Sequence, residues 1–283
     1  MSSPIDLGAI MAAWAEKTPS VQGLVLIGSQ QRTGFELFDR ADEYSDWDFQ
    51  IITTDIRMFL SSEWARSLPG MHLQAYAARV ARIGAVPKVN VIFAETEMDL
   101  VIIPAHLARF MKIMVALGLH RNEGKIRQRL MEFALIIRPG WRILKGKSRW
   151  GRLYRKIVNE VPNPRLSDEA ICRLADGFVC DYIWVVRKIS RKELSAAQRT
   201  LHRELAEANF HLLHELKLRR GEKSFHEARR IERVGSAAEI ESVAVNTLLA
   251  AEALRSASDK CAATLRNLMH DLVSDKWQWP DVK

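Results

Sequence analysis

The sequence predicts an α+β protein in which a small mixed β-sheet is followed by a helical bundle. Two observations lead to this fold class. Short apolar runs bounded by turn residues, which are typical of strands, occur before residue 104. Apolar residues at helical spacing dominate the chain after residue 165. We therefore expect a sheet domain at residues 1–160, a linker at Val161-Pro162-Asn163-Pro164 and a bundle domain at residues 165–283.

The first domain is expected to mix helices with strands. Alternation, caps and breakers place its elements in chain order. They are a helix from Ile5 to Lys17, strands at Leu24–Ile27 and Phe49–Ile52, a helix from Asp55 to Leu68, hairpin strands at Val89–Phe93 and Met98–Ile103, a helix from Pro104 toward Gly118, and a helix through Ile126, Leu130, Phe133 and Ile137.

The second domain is expected to contain three long amphipathic helical stretches. Ser167 is a plausible cap for the first, which continues through Ile189. The second runs from Ser195 to Arg220, and Gly221 ends it. The third covers Ser236 to Val273. Short connections between such helices predict an up-down bundle.

A glycine-serine turn and a pair of aspartates are the most informative features of the first domain. Gly28-Ser29 ends an apolar strand, and a turn of this kind lets backbone N–H groups and a hydroxyl approach phosphate oxygens closely. Asp46 and Asp48 come directly before the predicted strand Phe49–Ile52, which continues from them. Because side chains alternate along a strand, the two carboxylates point the same way and can share divalent cations.

A third carboxylate is expected from the predicted hairpin. Asp99 lies among apolar neighbours in its second strand, where an aspartate is costly unless it is paired or binds a metal. Glu95 and Glu97 lie in or beside the solvated turn, which tolerates acids freely. We therefore prefer Asp99 as the third metal ligand, and a merely structural pairing of this residue is the alternative.

These features together resemble a known family. The order of helix, Gly28-Ser29, the segment Tyr44 to Asp48 and the hairpin strand Glu97 to Leu100 is similar to that of the polymerase-beta-like nucleotidyltransferases. Within that superfamily the chain resembles the streptomycin (aminoglycoside 6-) adenylyltransferases. The segment from Phe178 to Ala197 resembles that family's helical signature of Lys, Arg and Glu-Leu.

The resemblance implies a chemistry and a set of roles. It implies transfer of AMP from ATP to a hydroxyl of a small acceptor, with two Mg²⁺ ions held by Asp46, Asp48 and Asp99. Gly28 and Ser29 would hold the triphosphate. It also implies nucleotide binding by two residues of the helical signature, Lys188 and Arg191.

Composition bounds the remaining possibilities. Cys172, Cys180 and Cys261 lack the spacing of a zinc site and do not suggest a disulfide framework. The N-terminus has no basic segment leading into an apolar core, and no apolar run approaches membrane-spanning length. We therefore expect a cytoplasmic protein without a membrane partner.

Basic residues are concentrated in one segment, which we call the basic block and define as residues 121–165. It holds thirteen Lys and Arg against three Asp and Glu, whereas the whole chain has a net charge of +8. Clustered positive charge attracts polyanions, so nucleic acid is one expected partner. Trp141, Trp150 and Tyr154 lie among these charges and are suited either to base stacking or to core packing. A solvated helical face is the simpler interpretation.

Three functions remain open from the sequence. The first is transfer to a small hydroxylated acceptor such as an aminoglycoside, which is polycationic and needs an acidic pocket. The second is transfer to RNA or protein, which the basic block favours. The third is a non-catalytic module that binds nucleotide or RNA on the same fold. The intact set of three aspartates disfavours the third.

Overall fold

The fold is described from a computed structural model of the chain. The structure describes residues 5–32, 41–42, 44–81, 84–122, 124–225, 228 and 230–281. It divides into two compact units, residues 1–164 and 165–283. Among the described residues, the β-sheet belongs to the first unit and the second unit is helical, which confirms the predicted α+β class.

The first unit contains a six-stranded mixed sheet. Its strands are β1 (Val21–Ile27), β2 (Trp47–Thr53), β3 (Leu73–Val80), β4 (Pro87–Phe93), β5 (Glu97–Pro104) and β6 (Trp141–Lys145). Their order across the sheet is β3-β4-β5-β2-β1-β6. β2 and β5 pair in parallel, and every other neighbouring pair is antiparallel. Both central strands are therefore neighbours in space although β3 and β4 separate them in sequence.

The two edge strands were not predicted from the sequence. β3 has a largely exposed or half-buried pattern without a buried residue, so its sequence lacks a clear apolar alternation. β6 lies in the basic block and also has no buried residue. An edge strand pairs on one side only. β3 and β6 are therefore identified as strands by their pairing with β4 and β1 rather than by an apolar pattern of their own.

Helices cover both faces of the sheet. They are α1 (Leu7–Glu16), α2 (Glu63–Arg66), α3 (Ala105–Ala116), α4 (Lys125–Ile137) and α5 (Lys147–Glu160). One core holds side chains of α1 and α2 against the face that carries Phe49 and Ile51. A second core holds side chains of α3, α4 and α5 against the face that carries Ile52 and Ile103.

The predicted helix from Asp55 to Leu68 is wrong in extent. The structure has a 3₁₀ turn at Arg57–Leu60, an extended residue at Ser61, and then the single turn of α2. The Ser61 hydroxyl accepts a hydrogen bond from the Glu63 N–H at 3.2 Å. Serine side chains compete in this way with helical hydrogen bonds, which explains the interruption.

The two longest helices of the second unit, at Asp168–Ser190 and Ala251–Val273, pack on each other. The helices of this unit are α6 (Asp168–Ser190), α7 (Leu194–Thr200), α8 (Glu207–Arg219), α9 (Ile231–Val234), α10 (Ala237–Val243) and α11 (Ala251–Val273), and a π-helical segment at Leu201–Ala206 joins α7 to α8. Ser167 caps α6 by accepting from the Ala170 N–H at 3.2 Å, as predicted. The leucines at 201, 205, 212 and 216 are all buried in the core of this unit.

The predicted third stretch, Ser236 to Val273, is two helices rather than one. α10 ends at Val243, and α11 begins only at Ala251. Thr264 on α11 donates its hydroxyl proton to the Ser242 carbonyl at 2.8 Å, and Lys260 lies 2.7 Å from Glu241. The Lys260–Glu241 pair is exposed, so it is the hydrogen bond of the buried Thr264 that holds α10 back against α11, and tertiary packing overrides the local helical pattern.

A buried glutamate joins the start of the second unit to α8. The Glu215 side chain is only 3% exposed. It accepts from the Arg165 and Arg219 guanidinium groups at 3.0 and 3.2 Å and from the Leu166 N–H at 3.1 Å. The charge of Glu215 is thus compensated on three sides.

Candidate metal centre

The turn after β1 brings backbone against a carboxylate. Gly28 has φ of 74° and ψ of −155°, a conformation that is essentially restricted to glycine. A Cβ atom at this position would lie 2.1 Å from Oδ2 of Asp48. Ser29 follows as a buried residue, and its Oγ has no hydrogen-bond partner among the described residues. The turn therefore presents a close-packed backbone beside Asp48, and the next residue carries a buried, unsatisfied hydroxyl.

Three aspartates converge at this point. Asp48 on β2 is the direct register partner of Asp99 on the parallel strand β5. Asp46 lies two residues before Asp48 and therefore on the same side of the chain. One carboxylate oxygen from each of the three lies within 4.8 Å of the others. The structure thus brings together the three acids that the sequence indicated.

The electrostatics of Asp48 are strongly perturbed. Burial, followed by the nearby Asp46 and Asp99 carboxylates, raises the pKa of Asp48 from 3.8 to about 7. Lys88 and Arg32 act in the opposite direction and lower this pKa. Crowded like charges that favour a proton on one carboxylate equally favour a cation among them.

Asp99 has partners that the sequence analysis missed. Its two oxygens contact different side chains of the neighbouring strand β4, because Asn90 Nδ2 donates to Oδ1 and Lys88 Nζ forms an ion pair with Oδ2. Asp99 is 20% exposed and paired, so the structural pairing that the sequence left open as the alternative is present at this residue. Asn90 faces Asp99 directly in the β4–β5 register, and Lys88 is two residues away on the same face. Counting residues outward from the predicted hairpin turn pairs Asn90 with Asp99, so this register could have identified Asn90 and Lys88 from the sequence.

The other acids of the hairpin have different environments. Glu95 accepts from the His72 N–H at 3.1 Å, and its second oxygen lies 2.5 Å from His72 Nδ1. This pairing lowers the pKa of Glu95. Glu97 is exposed at the start of β5. Asp99 is therefore the member of the hairpin that joins the acidic cluster.

The donor set suits a hard divalent cation. Three carboxylates supply only oxygen ligands, which Mg²⁺, Mn²⁺ and Ca²⁺ prefer over nitrogen or sulfur. The raised pKa of Asp48 and the unpartnered Ser29 Oγ show charge and polarity that the described protein atoms leave uncompensated. A divalent ion therefore fits these residues.

Lys188 and Arg191 lie in the second unit. Lys188, near the end of α6, pairs with Glu193, and its Nζ lies 5.0 Å from the centre of the Trp184 ring. Arg191 is the C-cap residue that follows the end of α6 at Ser190. Nucleotide binding by Lys188 and Arg191 stays a prediction.

Most basic side chains of the basic block are exposed to solvent, and several of the others make structural contacts. Trp150 and Tyr154 on α5 are buried, and Tyr154 donates its hydroxyl proton to Gln50 at 2.8 Å. Neither ring is available to stack on a base, so the stacking interpretation is wrong for both. Lys145 donates to the Ala15 carbonyl at 2.5 Å, and Lys156 donates to the Val115 carbonyl at 3.1 Å. Arginines on the outer face of α5 are exposed at positions 149, 152 and 155.

No protein-family model matches the chain, and no curated protein sequence matches it. Among solved structures, it is similar to an aminoglycoside 6-adenyltransferase from Bacillus subtilis, with 13% identity, a TM-score of 0.40, and coverage of 99% of this chain and 94% of the other. It is also similar to a nucleotidyltransferase-like protein from Exiguobacterium sibiricum 255-15, with 13% identity, a TM-score of 0.34, and coverage of 93% and 74%. Likenesses this distant carry no argument about activity, which has to come from the site.

Among the described residues, no helix has both the length and the apolar character needed to cross a membrane.

Proposed function

We propose that this chain is a metal-dependent nucleotidyltransferase that moves AMP from ATP to a hydroxyl of a small acceptor. The observation that carries the proposal is the convergence of Asp46, Asp48 and Asp99 within 4.8 Å, beside a turn where only glycine fits. Three carboxylates next to a turn whose backbone approaches them closely are suited to hold a metal-bound triphosphate.

Each residue has a role in this proposal. Asp46, Asp48 and Asp99 would hold divalent cations, which the resemblance suggests are two Mg²⁺ ions. When bound, these ions offset the negative charge that develops on the attacking and leaving oxygens. The backbone at Gly28 lies against the phosphates, and Ser29 Oγ donates to a phosphate oxygen. The acceptor oxygen forms a bond to the α-phosphorus, the bond to the bridging oxygen breaks, and pyrophosphate leaves while the hydroxyl proton is released.

The acceptor is proposed from the family resemblance, and the charge and burial of the basic block bear on the alternatives. Trp150 and Tyr154 are buried and Trp141 is half-buried against the same core, which weakens the stacking support for RNA. The exposed arginines of α5 still favour a polyanionic acceptor, so transfer to RNA or protein is the second candidate. A non-catalytic nucleotide- or RNA-binding module is the third, and the convergent carboxylates favour an enzyme over it. A small acceptor such as an aminoglycoside remains the leading proposal on the basis of the family resemblance.

The first experiment tests the transfer itself. The protein is incubated with ATP, GTP, CTP or UTP labelled at the α-phosphate, in the presence of an aminoglycoside panel, total tRNA or cell lysate. We expect label from ATP to appear on a small acceptor only when a divalent cation is present. Asp46→Asn should reduce transfer below detection, because an amide cannot offset cation charge.

A matched control removes the same charge elsewhere in the first unit. Asp6 caps α1 by accepting from the Ala9 N–H at 3.0 Å, and asparagine caps helices equally well. Asp6→Asn should therefore keep wild-type transfer. Transfer by Asp46→Asn at the rate of Asp6→Asn would refute the catalytic proposal.

The second experiment separates the acceptors. Reversing the three exposed arginines of α5 to glutamate leaves Lys156 and its hydrogen bond intact. A polyanionic acceptor would then bind much more weakly, and its affinity for the wild type would fall steeply with salt. We expect turnover of a small cationic acceptor to change little. Transfer of label to tRNA without modification of any small acceptor would overturn the leading proposal in favour of the second, and binding of tRNA without any transfer would favour the third.

A further inference from the structure

Lys88 is a cation built into the proposed metal centre. It lies on β4, outside the strands that carry the three aspartates, and its side chain is 31% exposed. Its Nζ forms an ion pair with Oδ2 of Asp99, while Asn90 occupies Oδ1. Both oxygens of Asp99 are therefore engaged by protein groups.

The second observation is that Lys88 acts on more than its direct partner. One carboxylate oxygen of Asp48 and one of Asp46 lie within 4.8 Å of an oxygen of Asp99, so an ammonium group paired with Asp99 lies close to the whole cluster. When all three carboxylates are ionised they carry three negative charges, of which the Lys88 ammonium group offsets one. A divalent cation entering the cluster meets this positive charge at short range, where Coulomb repulsion is strong.

We propose that Lys88 is an internal counter-ion that competes with a divalent cation for Asp99. In the metal-free protein it holds Asp99 in place and limits the affinity of the centre for free metal ions. A metal that uses Oδ2 of Asp99 has to displace the ammonium group, which then lies free beside the cluster. An anionic ligand such as a triphosphate supplies a new partner for Lys88, so metal and nucleotide bind cooperatively. This inference rests on the proposed metal centre and goes beyond it in assigning Lys88.

The test measures metal binding without nucleotide or turnover. Mn²⁺ is titrated into the full chain after chelator treatment, and the free ion is followed by electron paramagnetic resonance. We expect Lys88→Met to bind Mn²⁺ at least tenfold more tightly than the wild type, because the repelling charge is gone. Lys88→Arg keeps the charge and should bind as the wild type does. Lys125→Met, at an exposed position at the start of α4, makes the same change in net charge and should also match the wild type.

A thermal unfolding series separates competition from simple support of Asp99. In chelator, Lys88→Met should melt below the wild type because Asp99 loses its ion pair. On addition of Mn²⁺ it should show the larger rise in Tm. Equal or weaker Mn²⁺ binding by a folded Lys88→Met would overturn the inference, since Lys88 would then only position Asp99.

A third experiment measures how nucleotide changes the affinity for Mn²⁺. With a non-hydrolysable ATP analogue present, the wild type should gain more Mn²⁺ affinity than Lys88→Met does. Equal Mn²⁺ binding by the wild type and Asp46→Asn would instead overturn the proposed metal centre, and this inference with it. Tighter binding by Lys88→Met, in a protein that transfers no nucleotide to any acceptor, would support the inference and refute the proposed activity.

Discussion

The raised pKa of Asp48 predicts an unusual dependence of stability on pH. The pKa of this carboxyl is 3.8 in the unfolded chain and about 7 in the folded protein. Between these values the folded state holds a proton that the unfolded state has released. Stability contributed by this group is therefore fully present below the lower value and is lost as the pH rises to the upper one.

The size of the effect follows from the same two values. One pKa unit corresponds to about 1.4 kcal/mol, so a change from 3.8 to about 7 corresponds to about 4 kcal/mol as an upper limit. Asp48 is half-buried, and solvent screening reduces the effect. We expect a loss of about 2–4 kcal/mol across this range in metal-free protein.

Urea unfolding in chelator measures this loss directly. Other groups titrate in the same range, so the quantity to follow is the difference in unfolding free energy between Asp48→Asn and the wild type. As the pH rises from about 4.5 to about 7.5, the unfolding free energy of Asp48→Asn should become larger relative to that of the wild type. A difference that stays constant with pH would refute the reasoning, since Asp48 would then titrate normally. Excess Mg²⁺ should restore stability to the wild type at the higher pH and do little for the variant.

Two further predictions concern stability and site geometry. Gly28→Ala should cost about 1–3 kcal/mol of backbone strain and also weaken Mn²⁺ binding, because the new methyl group meets Asp48. Its control is Gly70→Ala, which has a similar φ of 71° and open space, so calorimetry should show strain without a change in metal affinity. Glu215→Gln should destabilise the second unit by about 2–4 kcal/mol in chemical denaturation, because two arginines lose their buried counter-charge. The exposed pair of Glu241 supplies the control, and Glu241→Gln should unfold with the wild type.

Much of the sheet was predictable because its central strands are apolar. The runs at Leu24–Ile27 and Phe49–Ile52 lie inside β1 and β2, and their side chains fill the two cores. β3 and β6 carry no buried residues and offered no such signal. The break between α10 and α11 has no Gly or Pro to mark it and depends on contacts that are distant in sequence, such as the hydrogen bond between Thr264 and Ser242.

The candidate site was predictable to the level of residue identity but not of environment. Gly28, Asp46, Asp48 and Asp99 could be chosen because turn and ligand chemistry demands particular residue types. The partners of Asp99 could not be chosen in the same way, because lysine and asparagine are common on strands and acquire meaning only through strand register.

The parallel pairing of β2 with β5 also has a kinetic consequence. Asp48 and Asp99 become neighbours only when two strands about fifty residues apart in sequence have joined, after the intervening chain has closed its loop. Such non-local pairing forms late in folding when local hairpins form early. A cation that binds across this pair then stabilises the native state without assisting its formation. Bound metal should accordingly lengthen the lifetime of the folded protein by slowing unfolding, and leave its folding rate almost unchanged.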